Sequence, residues 1–245
     1  MTPKNWLKDK VAPSSTAQRV HRPFPYVEYE TTNELGMRWY STPIGALPSI
    51  TTVLGITEAP EKKRSLEQWR KSLGEKSAAQ KSLEATQHGT MVHTLVERYL
   101  KDQEVFAPVD GQSIPQDDRN AFNSLKLKLN LINEIWGQEK ALYSDQVQVA
   151  GRFDCAGEYK GVPSIIDFKT AARIKNRDDV ADYEIQLAFY AMAHNERFGT
   201  DIKQGVILMA AAKGFPLEFI VDVESKFSEL RERAARFWAQ VLQKV

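Results

Sequence analysis

Two acids and a lysine that recur on one face of a paired strand constrain this chain more than any other feature. Gly151-Arg152-Phe153-Asp154 and Ile165-Ile166-Asp167-Phe168-Lys169 flank Lys160-Gly161, a natural turn centre. Any symmetric loop centred there sets Asp154 directly opposite Asp167, with Cβ atoms roughly 4.5–5.5 Å apart. Lys169 lies two residues beyond Asp167 and shares its face, while Ile166 and Phe168 point to the other side, as a core strand requires. A one-residue slip would bury the acid and bring the phenylalanine into its place, so the register is firmly specified.

Two like charges at ~5 Å repel by about 3 kcal/mol at an effective dielectric of 20. Such a pair is destabilising without a cation. A hard divalent ion held between the acids supplies one, and carboxylate oxygens suit Mg²⁺ or Mn²⁺. One or two such ions would activate water and stabilise a pentavalent phosphate. Lys169 would orient or help deprotonate that water and offset phosphate charge. The pattern therefore points to metal-dependent phosphodiester hydrolysis. The bland alternative is a surface acid on each strand beside a lysine by chance, and the depletion of Asp from strands weakens it.

Three weaker constellations accompany the hairpin. His93 and Glu97 share a helical face, so His93 would offer a nitrogen to the metal, with Glu97 orienting the ring or holding a water. The same pair also reads as an ordinary half-buried histidine with a carboxylate partner. A zinc-protease site is excluded, because it needs two histidines around a His-Glu pair. Gln186 and Tyr190 also share a helical face, and there Gln186 would steady the lysine, a phosphate or a water, or simply be helix surface. Glu139 opens the preceding strand and either lines the cleft or faces solvent.

Composition narrows the rest. The chain has 245 residues, a net charge of +1 and a single cysteine, Cys155, which excludes an internal disulfide and a four-cysteine zinc or iron–sulfur site and fits a reducing cytosol. No apolar run approaches the ~20 residues of a membrane span. With so small a net charge, nucleic-acid affinity must come from local patches. Lys62, Lys63, Arg64, Arg70, Lys71, Lys76 and Lys81 form one between Glu61 and Lys81, with a net +4 that by itself reads as a solvated helix face.

The apolar periodicity predicts an N-terminal hairpin over Tyr26–Glu30 and Met37–Tyr40, then a short helix opened by Pro48-Ser49. Helices follow over Lys62–Gln80, Ser82–Leu100 and Asp117–Trp136. The period then changes to two, giving strands at Glu139–Ser144, Val147–Tyr159 and Pro163–Lys169. A helix over Asp178–Phe198, strands at Gly205–Ala211 and Leu217–Asp222, and a closing helix over Glu224–Gln243 complete the order. This order implies an α/β fold: one central mixed β-sheet flanked by helices, preceded by a flexible basic arm over residues 1–25.

With these residues in place, the sequence resembles the PD-(D/E)xK nuclease superfamily in its RecB-like branch. The resemblance rests on His93, the Gly-Arg-Phe-Asp run at Asp154, Asp167-Phe168-Lys169-Thr170, and Gln186-Leu187-Ala188-Phe189-Tyr190, in the family's order. Leu47–Leu54, Leu66–Arg70 and Gly89–His93 extend the likeness to the mitochondrial genome maintenance exonuclease family and its bacterial and phage relatives. It implies a restriction-endonuclease-like core over residues 26–245, with an arch of helices near residues 60–90. The implied metal ligands are His93, Asp154, Asp167 and the Phe168 carbonyl. Lys169 is implied as the catalytic lysine, supported by Gln186 and Tyr190.

The basic segment and Thr170 would then guide DNA. The implied activity is a monomeric exonuclease on single-stranded DNA or DNA ends, in repair, recombination or degradation. A structure-specific endonuclease and a non-catalytic end-binding module are the alternatives. The absence of a convincing transit signal points to a bacterial or phage cytoplasm rather than a mitochondrion.

Overall fold

A computed structural model describes residues 19–211 and 215–243. Its centre is a six-stranded mixed sheet built from β1 (Val20–His21), β5 (Ile132–Ser144), β6 (Val149–Tyr159), β7 (Val162–Ala171), β8 (Gln204–Ala211) and β9 (Pro216–Asp222), in the order β1-β5-β6-β7-β8-β9. β5, β6 and β7 form an antiparallel meander. β7 and β8 run parallel, joined by α5 (Ala181–Phe198). A parallel pair needs such a crossover. The fold class expected from the sequence is the one found.

The two faces of the sheet are covered by different helices. α3 (Glu75–Leu100) and α4 (Gln116–Leu129) bury Val92, Leu95, Val96, Phe122 and Leu125 against Ile166, Phe168, Val206 and Leu208. On the other face, α1 (Ile50–Ile56), α5 and α6 (Phe227–Leu242) bury Val53, Ile185, Phe189, Leu230 and Phe237 against Ile165, Ile207 and Met209. The strict alternation of Ile165, Ile166 and Phe168 between these clusters leaves Asp167 and Lys169 on the α5 side of β7. Ser49 caps α1, its Oγ accepting from the Thr52 N–H at 3.0 Å.

A second, three-stranded sheet comprises β2 (Thr31–Glu34), β3 (Met37–Thr42) and β4 (Gly45–Pro48). Its hairpin turns at Leu35-Gly36, both at positive φ. The first strand is thus Thr31–Glu34 rather than the expected Tyr26–Glu30. Phe24 and Tyr26 instead pack their rings into the core as an irregular strap along β5. The expected arm ends earlier than residue 25, because Val20–His21 pairs with β5 and Arg19 bonds Asp102; residues 1–18 lie outside the described chain.

The helix expected to run to Trp136 stops at Leu129. Ile132, Ile135 and Trp136 belong to β5, where two bulges fall between Ile132 and Glu134 and between Ile135 and Gly137. Each bulge adds a residue and so converts the period of two into helix-like spacing. The two long helices at the N-terminal side divide at Gly74, whose φ of 77° suits glycine, into α2 (Pro60–Leu73) and α3. Every residue of α2 is at least partly exposed, so this helix stands off the body.

Candidate active site

The β6–β7 ladder has the register read from the sequence: Cys155 pairs with Ile166, Ala156 with Ile165 and Tyr159 with Val162. It ends one pair short of the acids. Beyond Cys155 the Asp154 carboxylate takes the place of a strand partner and accepts the Phe168 N–H at 2.8 Å. The alternation of β6 breaks at this point, since Phe153 and Cys155 lie in opposite core clusters. Asp154 is thereby turned toward α3, where its Oδ2 lies 3.7 Å from His93 Nδ1.

His93 reaches down from α3 and donates from Nε2 to the Phe168 carbonyl at 2.7 Å, with Nδ1 3.9 Å from Glu139 Oε1. Burial alone would make this ring less basic, but Asp154 and Glu139 outweigh it and push its pKa up to about 9. The acids on either side thus favour the charged form of the ring, as they do that of Lys169. Asp167 is 3% exposed and is pushed up to about 6, by burial first and by Asp154 second, against the pull of Lys169. Lys169 Nζ lies 2.5 Å from both Asp167 oxygens, and the Tyr183 ring lies 4.9 Å beneath it. Burial would strip the lysine's charge, but Asp167 and Asp154 hold its pKa above the ordinary value.

Glu139 enters the site more deeply than the sequence suggests. It sits in β5 at a left-handed φ of 49°, and Arg152 donates to its carbonyl. Ligand atoms of His93, Glu139 and Asp154 lie within 4.8 Å of one another. Asp167 falls outside this triad, with both carboxylate oxygens beside the Lys169 ammonium. Three carboxylates, an imidazole and the Phe168 carbonyl thus converge. This hard N/O donor set fits a divalent ion such as Mg²⁺ or Mn²⁺.

The model of the PD-(D/E)XK nuclease superfamily matches residues 63–244. The chain belongs to this superfamily. Three relatives are each named mitochondrial genome maintenance exonuclease 1. The Mus musculus protein is 26% identical over 96% of this chain and 70% of its own length. The Xenopus tropicalis protein is 24% identical over 87% and 61%, and the Homo sapiens protein 25% identical over 69% and 51%. The chain therefore spans only about half to two thirds of most of these relatives. Their names and animal origin do not favour the bacterial or phage setting expected from the sequence. No described helix is long and apolar enough to cross a membrane.

Within this superfamily nuclease, several expected roles change hands. Glu97 does not orient His93. Its carboxylate bonds Lys101 at 2.5 Å, while the His93 ring turns its two nitrogens to the Phe168 carbonyl and to Asp154 and Glu139. Gln186 and Tyr190 support the strand rather than the lysine. Tyr190 Oη donates to the Arg152 carbonyl at 2.6 Å, and Gln186 Nε2 lies 3.4 Å from that hydroxyl. Gly151 permits this, since a Cβ there would come within 3.0 Å of the Tyr190 ring.

The seven cations expected to contact DNA divide into two groups. Lys62 is tied to Asp182 and to Glu58, Lys63 caps the Ile56 carbonyl at 2.9 Å, and Arg64 pairs with Glu61 at 2.8 Å. Arg70, Lys71, Lys76 and Lys81 are exposed and make no ion pair among the described residues. Thr170 lies against Gly89 of α3, one residue past Lys169, and lines a groove with His88, Asn120 and Ala211. His88 is bonded to the buried Asp118, a pairing with no spacing signal in the sequence.

Proposed function

We propose that this nuclease is a divalent-metal-dependent DNA exonuclease that degrades single strands from free ends. The observation that carries the catalytic part is the convergence of His93, Glu139 and Asp154 beside the buried Asp167–Lys169 pair. His93, Glu139, Asp154, Asp167 and the Phe168 carbonyl are the groups that would hold Mg²⁺ or Mn²⁺. When bound, such an ion supplies Lewis-acid polarisation of the scissile phosphate. Lys169, held charged by Asp167 and backed by Tyr183, lies where its ammonium meets the phosphate and orients the attacking water. Tyr190 fixes β6 and with it Asp154.

The end requirement is supported by the relatives' shared name and by α2 and α3, a helical hairpin whose Arg70, Lys71, Lys76 and Lys81 make no ion pair among the described residues. A strand guided by those side chains reaches the metal centre along Gly89 and Thr170. The protein acts as a monomer in DNA repair, recombination or degradation on this reading. The test is end-labelled linear single-stranded DNA against a covalently closed circle of the same sequence, with Mg²⁺ or Mn²⁺. Release of nucleotides from the linear strand alone is expected, and cutting of the circle at a similar rate would assign a structure-specific endonuclease instead. Binding without turnover in either metal would leave only an end-binding module.

A further inference from the structure

Glu28 sits between two anchored parts of the N-terminal strap. On one side Arg22 and Phe24 donate their backbone N–H groups to the Ile135 and Trp136 carbonyls, and the Tyr26 ring fills the space over Gly137. On the other side the Glu30 carbonyl accepts from Ser41. The intervening Glu28 points its carboxylate into a fork of two cations. Its Oε1 accepts from Lys140 Nζ at 2.9 Å and its Oε2 from Arg152 Nη2 at 2.7 Å. These two bonds hold the Glu28 carboxyl below its ordinary pKa, Lys140 most strongly.

The fork adjoins the metal centre. Arg152 uses its other Nη to bind the carbonyl of Glu139, whose carboxylate belongs to the metal-binding triad. Lys140 follows Glu139 in β5. Glu28, Glu139, Lys140 and Arg152 line one groove of about 400 Å³. A planar guanidinium and an ammonium converging on two oxygens from adjacent directions form a phosphate-recognition geometry. Here the oxygens are supplied by the protein itself.

We propose that Arg152 and Lys140 form a phosphate-binding subsite beside the metal centre, and that Glu28 occupies it as a built-in phosphate mimic which the nucleic-acid strand displaces. The assignment of that phosphate to DNA rests on the nuclease reading; the anion site itself does not. Glu28 thereby weakens binding of strands too short to engage the helical hairpin, because its two ion pairs must break before a phosphate enters.

Binding without turnover tests this independently of catalysis. The anisotropy of a short fluorescein-labelled single strand carrying a 5′-phosphate is measured in EDTA, with thymidine monophosphate as a competitor. Glu28→Gln is expected to tighten binding of the oligonucleotide about fivefold at low salt, a gain that fades as salt rises. In Glu28→Gln/Lys140→Met the gain disappears, with melting temperature confirming that both variants fold. A gain shared by the monophosphate identifies a terminal phosphate, and one confined to the oligonucleotide identifies an internal diester. Glu28→Gln binding no more tightly than the wild type, or a gain that survives removal of the Lys140 charge, overturns the subsite. If the subsite behaves as expected but no strand is digested in metal, the exonuclease reading alone fails.

Discussion

The Asp154 carboxylate accepts the backbone N–H of Phe168 at 2.8 Å, so one oxygen of a candidate metal ligand also completes the ladder between two central strands. Candidate metal ligation and strand pairing are joined at one side chain. Asp154→Ala should therefore lose metal-dependent turnover and also leave that N–H without its partner, costing about 1–3 kcal/mol. Asp154→Asn keeps a carbonyl acceptor and should recover most of the stability but not the turnover. Thermal melts alongside nuclease assays separate the two effects, and equal melting temperatures for both variants would contradict this double role.

Tyr190→Phe removes the hydroxyl that donates to the Arg152 carbonyl at 2.6 Å. The expected loss is about 1 kcal/mol of stability, with a fall in kcat larger than any change in KM. Lys169→Met should instead abolish turnover while leaving single-strand binding in EDTA nearly unchanged. A kcat for Tyr190→Phe equal to that of the wild type would remove the positioning role.

Metal affinity should rise with pH. The pKa of His93 is raised to about 9 in the metal-free chain, so a bound ion must release its proton, and affinity should climb up to tenfold per pH unit below that value. Calorimetry with Mn²⁺ in two buffers of different ionisation enthalpy measures the proton released. The raised pKa also stabilises the metal-free fold below about pH 6.5, an advantage lost as pH rises through about 9. Asp167, raised from 3.8 to about 6, acts in the same direction over a lower window. Melting of the EDTA-treated chain should accordingly weaken toward alkaline pH and be rescued by added metal.

His194 has the opposite sign. It is fully buried, bonded to Tyr26 at 2.9 Å and to Thr200 at 2.8 Å, and burial depresses its pKa to about 4. The stability from keeping this ring neutral is intact above pH 6.5 and is lost as pH falls toward 4, amounting to about 3 kcal/mol. The difference in denaturation free energy between wild type and His194→Gln isolates this effect from the titration of Asp167. That difference should shrink between pH 6.5 and 4; a constant difference would refute it.

Replacing Arg70, Lys71, Lys76 and Lys81 together by Gln should raise KM for single strands and leave kcat within a factor of about two. Every phosphate that these side chains neutralise adds about 0.7 to the slope of log affinity against log salt, so the quadruple variant should show a flatter dependence. An unchanged salt slope would show that the helical hairpin does not touch the strand.

The register of β6 and β7 was legible because the turn at Lys160-Gly161 and the alternation of Ile165, Ile166 and Phe168 allow one pairing only. The order of strands and helices along the chain, and with it a mixed sheet flanked by helices, followed from the sequence of periods. Glu139 was legible only in part. Its place in the triad depends on a left-handed backbone at a non-glycine residue, which leaves no signature in composition or spacing. The bulges of β5 imitated a helix because each inserts a residue that shifts the period of two. Glu97 misled because its i−4 and i+4 neighbours, His93 and Lys101, both offered partners, and spacing does not say which one it meets. The strand β1, two residues long, is too short to carry a period.

Because α2 buries none of its residues, holding it in place rests on Lys62, Lys63 and the turn at Gly74 rather than on the core. Lifting such an element costs far less than global unfolding. On the proposed function, a free-end requirement imposed by this helix would therefore be a kinetic rule set by how often it opens. Proteolysis or hydrogen exchange at residues 60–73 would report the same opening rate that governs how often a continuous strand slips in sideways.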